Sequence, residues 1–69
     1  MPNTREEVAA IDARLEHVRQ HIAALSAQEM EHRRNGALDW EMRTSRERTR
    51  YEEEAKHLEK LRQNLLRLA

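Results

Sequence analysis

The 69-residue chain has no cysteine, no phenylalanine, one glycine and one proline. Without cysteine it can form no disulfide framework and offers no thiol for catalysis. A single glycine excludes a glycine-rich phosphate-binding loop, and the scarcity of both helix-breaking residues favours long helices. The thirteen basic and thirteen acidic side chains cancel, so no global field attracts nucleic acid or an anionic membrane.

Long apolar runs are also missing. None approaches the roughly 20 residues of a membrane span, and residues 1–4 do not begin a signal peptide. We therefore expect no membrane partner and a cytoplasmic location. Charged residues make up 38% of the chain and hydrophobic residues another 38%, which is typical of surface-rich helices and coiled coils.

Two apolar stripes with alternating steps of three and four residues predict two amphipathic helices. Thr4 and Glu7 have the spacing of a capping box, which predicts the start of the first helix. The first stripe consists of Val8, Ile11, Leu15, Val18, Ile22 and Leu25. The second stripe, read back from the C-terminus, consists of Leu68, Leu65, Leu61, Leu58, Glu54, Tyr51, Glu47, Thr44 and Trp40.

The register of the first stripe does not continue through the middle of the chain. A single rod would place His57 and Lys60 in the seam instead of the leucines beside them. Antiparallel folding explains both stripes, because it sets Val8 opposite Leu68 and Leu25 opposite Tyr51. This pairing predicts that the chain folds back at residue 38.

Local turn signals agree with a fold-back in this region. Asn35-Gly36 suits a helix C-terminus, where glycine adopts a left-handed conformation without steric penalty, and Asp39 suits the N-cap of a second helix. The prediction is an all-α, coiled-coil-like antiparallel hairpin in one domain, residues 1–69. Its helices span about residues 4–35 and 39–68, and its turn spans about residues 36–39.

Two helices that share one narrow seam bury little surface, and a chain of this size folds with a small margin. We therefore expect a homodimer that forms a four-helix bundle, or an obligate partner. The residues expected in the core or dimer seam are Val8, Ile11, Leu15, Val18, Ile22, Leu25, Leu58, Leu61, Leu65 and Leu68. Residues beside the seam that could form a second contact are Ala9, Ala13, Ala24, Ala27, Met30 and Leu66.

Catalytic and metal-binding patterns are weak. His17 and His21 lie on one helix face and the hairpin brings His57 to a similar level, which would suit a metal ion. Their charged surroundings favour solvated side chains instead, so we expect no metal and no cofactor. Paired carboxylates at the turn have no cleft around them. The sequence therefore predicts a non-enzymatic protein.

The half of the hairpin near the turn has a polar seam but is rich in side chains that anchor protein interfaces. The predicted partner-binding residues are Trp40, Met42, Arg43, Tyr51, Met30 and His32. Trp40 is the expected anchor and Arg43 its polar partner. The alternative is a polar layer in a four-helix dimer, with Trp40 packed under the turn and Tyr51 closing the aliphatic core.

A short basic strip suggests a second function. Arg43, Arg46 and Arg50 share one helix face and could contact the phosphates of RNA or DNA in a dimeric bundle. Ion pairs would neutralise this region, and the expected pairs are Arg48 with Glu52, Arg50 with Glu54, and Glu29 with Arg33. Nucleic acid is therefore the less favoured partner.

Three resemblances bear on function. Gly36-Ala37-Leu38 followed by leucines is similar to the coiled coil of transcript-cleavage factors that enter the RNA polymerase channel, with Asp39 and Glu41 at the acidic tip. Residues 54–59 resemble the hairpin co-chaperones of type III secretion needles. In size, hairpin form and Arg/Ala/Glu-rich composition, the whole chain resembles small phage-encoded anti-activators of quorum sensing. That last resemblance implies a dimer that inhibits a bacterial transcription regulator in the host cytoplasm.

Overall fold

The computed structural model describes residues 3–68 and consists of two helices, α1 (Thr4–Arg34) and α2 (Leu38–Leu68), joined by residues 35–37. The helices run antiparallel and pack along their whole length, and the Cα atoms extend over 50 × 15 × 14 Å. The predicted all-α hairpin is confirmed.

The first helix begins with an asparagine cap. The backbone of Asn3 is extended, and its side-chain oxygen accepts a 2.9 Å hydrogen bond from the Glu6 amide. The Asn3 carbonyl accepts a second bond of 3.0 Å from the amide of Glu7. The predicted Thr4–Glu7 capping box is therefore wrong. Asparagine is among the best N-cap residues, and its position one residue earlier makes Thr4 the first helical residue.

The first helix ends in a Schellman motif. Gly36 has a φ of 70°, and its amide donates a 3.2 Å hydrogen bond to the carbonyl of Arg33. The amide of Ala37 donates a 2.9 Å bond to the carbonyl of His32, which completes the motif. The left-handed glycine predicted at this point is confirmed.

Because this motif reverses the chain within three residues, the fold-back is centred on Gly36 and not on residue 38. Leu38 already begins α2. Asp39 therefore lies in the first turn of that helix, where its charge favours the positive end of the helix dipole. The prediction that Asp39 is the N-cap is wrong.

The core is small and lies nearer the open end than the turn. Leu15, Val18 and Ala55 form its buried cluster, and Leu25 is buried separately towards the turn. The partly buried residues that pack around the cluster are Ile11, Ile22, Tyr51 and Leu58. Ala55 is the smallest of these side chains, so it lets the two helices approach closely beside Val18.

The line of α2 residues that faces the first helix differs in part from the line that the sequence predicts. Positions 44, 51, 58 and 65 lie at or beside the seam as expected, all buried or half-buried. The other residues of α2 that face the first helix are Glu41, Arg48, Ala55 and Arg62. The predicted stripe places Trp40, Glu47, Glu54, Leu61 and Leu68 there instead. The expected line is therefore turned outward.

Two leucines predicted in the seam are exposed in the single chain. Leu61 is 39% exposed and Leu68 is 82% exposed, while Leu65 and Val8 are half-buried. The predicted pairing of Leu25 with Tyr51 is also shifted, because the Tyr51 ring stacks on His21, about one helical turn from Leu25.

Candidate interaction surface

One edge of the hairpin is closed by ion pairs between the two helices, and we call it the ion-pair edge. Asp12, Arg19 and Arg33 recur along α1 at multiples of seven residues, and Glu41, Arg48 and Arg62 do the same along α2. The pairs on this edge are Asp12–Arg62 at 2.7 Å, Arg19–Glu59 at 3.2 Å, Arg33–Glu41 at 2.7 Å and Glu29–Arg48. Their carboxylates and guanidinium groups already satisfy each other.

Glu29 and Arg48 form the most buried of these pairs, with side chains 12% and 27% exposed. Arg48 also bonds Glu52 at 2.5 Å, which confirms one predicted pair. The hydrogen bond from Arg48 lowers the pKa of Glu29, against the opposing effect of burial. The predicted Glu29–Arg33 pair is wrong, because antiparallel packing gives Glu29 a closer cation on the other helix.

Thr44 continues this polar layer towards the turn. It is buried, and its hydroxyl donates a 2.8 Å hydrogen bond to the carbonyl of Trp40. Among residues 3–68, no buried side-chain nitrogen or oxygen lacks a hydrogen-bond partner. The polar layer is therefore satisfied within one chain and needs no second molecule to complete it.

The opposite side of the hairpin carries few ion pairs, and we call it the flank. It is formed by two lines of residues spaced by seven, Glu7, Arg14, His21 and Gln28 on α1, and Trp40, Glu47, Glu54, Leu61 and Leu68 on α2. Arg14 bonds Glu54 through two contacts of 2.5 and 3.0 Å. This bond lowers the pKa of Glu54, and it means that the predicted Arg50–Glu54 pair is wrong.

Aromatic rings join the two helices at the middle of the flank. The rings of His21 and Tyr51 are stacked with centroids 5.0 Å apart, and His17 meets His21 edge-on at 4.6 Å. Tyr51 also packs against the buried cluster. This side chain therefore helps to hold the helices together as well as lining the surface.

Trp40 is the main exposed ring of the flank. It is 57% exposed and does not pack under the turn. The Cζ atom of Arg43 lies 5.1 Å from the centroid of its ring, and the His32 ring lies 6.2 Å away at 27°. A guanidinium over an indole face is a favourable cation–π arrangement. The structure thus brings together three of the predicted partner-binding residues, which we call the Trp40 cluster.

The two methionines predicted for the same surface lie elsewhere. Met42 is 57% exposed, but it follows Trp40 by two residues and so points about 200° away around the helix. Met42 shares a shallow depression with Asp39, Arg43 and Arg46. Met30 is 60% exposed and, three residues before Arg33, lies towards the ion-pair edge.

The structure adds two features in this half of the molecule, the second of which is lined by the predicted basic strip. Leu38 is 66% exposed beside the turn, and only its position as the first residue of α2 could have indicated that. A shallow groove also runs along α2 between Arg43, Arg46, Arg50 and Tyr51, with Glu47 and Glu54 in its walls. Within residues 3–68 these three arginines form no ion pair.

The three histidines that the hairpin is expected to bring to a similar level do not form one group. His57 lies in a depression with Lys56, Glu59, Lys60 and Gln63, whereas His17 and His21 lie with Gln20 and Ala24. The described part of the chain has no group of three or more acidic, histidine or cysteine side chains placed to hold a metal ion. Over the same residues, neither helix is apolar enough over a sufficient length to cross a membrane.

Comparison of the chain with protein-family models, with curated proteins and with solved structures finds no match.

Proposed function

We propose that the chain is a non-enzymatic interaction protein that binds and inhibits a bacterial regulatory protein, such as a transcription regulator, through the Trp40 cluster. The observation that carries this proposal is the exposed Trp40 ring, which lies next to Arg43 and to the His32 ring. Tryptophan and arginine are the side chains most enriched at interface hot spots. A side chain that neighbouring groups hold in one position before binding loses less entropy when it binds.

The nature of the partner rests on the resemblance to phage-encoded anti-activators of quorum sensing. In this proposal the chain, a homodimer when free, acts in the cytoplasm of a bacterial host and blocks its target by direct contact. The polar layer near the turn, which contains Glu29, Arg48 and Thr44, supports a binding role for the Trp40 cluster. Because that layer is complete within one chain, its buried polar groups do not need the side chains of the Trp40 cluster as hydrogen-bond partners.

The test combines capture from a bacterial lysate with titration of the captured protein. The wild-type chain, Trp40→Ala and Leu66→Ala would be compared, since Leu66 is 48% exposed and lies near the opposite end of α2. We expect Trp40→Ala to weaken binding by about 30-fold, the equivalent of a hot spot of about 2 kcal/mol. Leu66→Ala should bind as the wild type does. Equal binding by all three proteins would refute the role of Trp40.

A second candidate function is nucleic-acid binding along the groove of Arg43, Arg46 and Arg50. Its supporting observation is that the carboxylate expected to neutralise Arg50 is held by Arg14 instead. Counterion release would make such binding fall steeply between low and moderate salt, whereas an interface centred on Trp40 would change little. Retention of only nucleic acid on the bait, with a steep salt dependence, would favour this second function.

A further inference from the structure

The flank has exposed apolar side chains near both of its ends. Leu61 and Leu68 lie at the open end, and Trp40 lies beside the turn; their exposures are 39%, 82% and 57%. Few hydrophobic side chains are buried by comparison, and within residues 3–68 they are Leu15, Val18, Leu25 and Ala55. A helical domain of this size normally needs a further layer for a stable core.

We propose that a second copy of the chain covers the flank in antiparallel orientation, so that Trp40 of each copy packs against Leu61, Leu65 and Leu68 of the other. The two hairpins then form a four-helix bundle around a two-fold axis near the middle of the flank. The ion-pair edges face outward on both sides. The contact is isologous, as in most homodimers.

The dimensions of the hairpin suit this arrangement. Its long face measures about 50 by 15 Å between Cα atoms, which is on the order of 750 Å². Stable interfaces bury about 800 Å² on each partner. Only packing along the full length approaches this area, because contact between the leucine ends alone would use less than half of the face.

Charge selects the antiparallel orientation over the parallel one. Arg43, Arg46 and Arg50, which form no ion pair within residues 3–68, all lie in the turn half of α2. A parallel dimer would bring the two sets together. An antiparallel dimer instead places Arg43 level with the exposed Glu7 of the other copy, in the acidic first turn of α1. Glu7 precedes Arg14 by seven residues and therefore lies on the flank.

Trp40 then takes part in two contacts, one with the second copy and one with the regulatory protein. If the proposed function is correct, the regulatory protein must displace the second copy before it can reach Trp40. This last step rests on the proposed function, whereas the dimer itself does not. Self-association of the purified chain therefore tests the dimer whether or not a partner exists.

The absence of cysteine allows a direct measurement of orientation. A spin label on Arg34→Cys, an exposed position at the end of α1, would mark the turn of each copy. With helices of 31 residues and about 1.5 Å per residue, an antiparallel dimer separates the two labels by roughly 45 Å. A parallel dimer places them about one hairpin thickness, 15 Å, apart. The shorter distance would overturn the orientation.

Light scattering would give the mass of the species in solution. We expect twice the 8.3 kDa of one chain at micromolar concentration, and a folded monomer would overturn the proposal. The double variant Leu61→Lys and Leu68→Lys should raise the dissociation constant at least tenfold while the helix content remains. Leu66→Lys is the matched control, because Leu66 is exposed but outside the flank.

A charge exchange keeps the test informative even if the lysine variants unfold. Arg43→Glu should weaken the dimer, and adding Glu7→Arg to the same chain should restore it, because the attraction across the interface is then rebuilt with reversed signs. Loss in the single variant without recovery in the double variant would contradict the contact between Arg43 and Glu7.

Discussion

Replacing Val18 with alanine measures how far the small core stabilises the hairpin. Val18 is 0% exposed and belongs to the buried cluster with Leu15 and Ala55. The change removes two methyl groups, each worth about 0.8 kcal/mol of transfer free energy, and leaves a cavity that adds about 1 kcal/mol. We expect the free energy of unfolding to fall by about 2–3 kcal/mol. A domain of this length has roughly 3–10 kcal/mol in total.

The assay is equilibrium unfolding in urea, followed by circular dichroism. All variants must be compared at one protein concentration, because dimer dissociation would make the midpoint depend on concentration. Leu66→Ala is the control, and at 48% exposure it should change the free energy of unfolding by less than about 0.5 kcal/mol. Equal losses in the two variants would show that the helices are not held together by the observed seam.

Three further predictions concern the helix ends and the ion pairs. Gly36→Ala should lower the free energy of unfolding, measured in urea, by about 1–2 kcal/mol. The cause is the backbone alone, because φ is 70° and no heavy atom lies within 4 Å of the added Cβ. An unchanged urea midpoint would exclude the left-handed turn. Asn3→Ala should lower the free energy of unfolding by about 1 kcal/mol and speed amide exchange in the first turn, whereas a larger effect from Thr4→Ala would restore the predicted capping box. The pKa values of Glu29 and Glu54 are lowered in the folded protein, so the stability that these carboxylates contribute is complete above about pH 4.3 and is lost as the pH falls through the lowered values. Urea midpoints measured from pH 7 to pH 3 should therefore decrease mainly below about pH 4.3, and a flat profile would contradict the two pairs.

Much of the fold could be predicted from the sequence because the aliphatic residues are unevenly spread. The stripe from Val8 to Leu25 has one strong period and no competing line, so α1 is oriented correctly. On α2 the line through Leu58 and Leu65 is flanked by two others. One contains Leu61 and the other contains Ala55, and apolar content alone favours the leucine line.

The structure reverses that choice for a reason that no single helix reveals. Arg48 and Arg62 reach carboxylates on α1, and alanine at position 55 permits close approach to Val18. Those gains depend on which residues lie across the seam, and therefore on the register of two helices. A shift in the fold-back from residue 38 to Gly36 accompanies the same change.

The candidate site was predictable in part. The residue types and the weak aliphatic seam near the turn are enough to predict an exposed tryptophan close to an arginine. The structure accordingly brings Trp40, Arg43 and His32 together as a cluster. The prediction that groups Met42 with Trp40 is wrong, because a spacing of two residues places them about 200° apart around the helix whichever line of α2 faces inward. The side on which Met30 lies depends on which line of α1 faces inward.

The rotation of α2 also links the fold to the proposed binding surfaces. Had Trp40, Leu61 and Leu68 faced inward, they would have enlarged the core of one chain and left fewer exposed apolar side chains for a partner. Instead, ion pairs and a small alanine occupy the seam, and the larger apolar side chains lie on the flank. The single chain therefore has a weak core and an exposed apolar surface, so its stability and its binding should respond to the same substitutions. A flank substitution that abolished partner binding without any effect on dimer stability would separate the two surfaces and exclude a shared one.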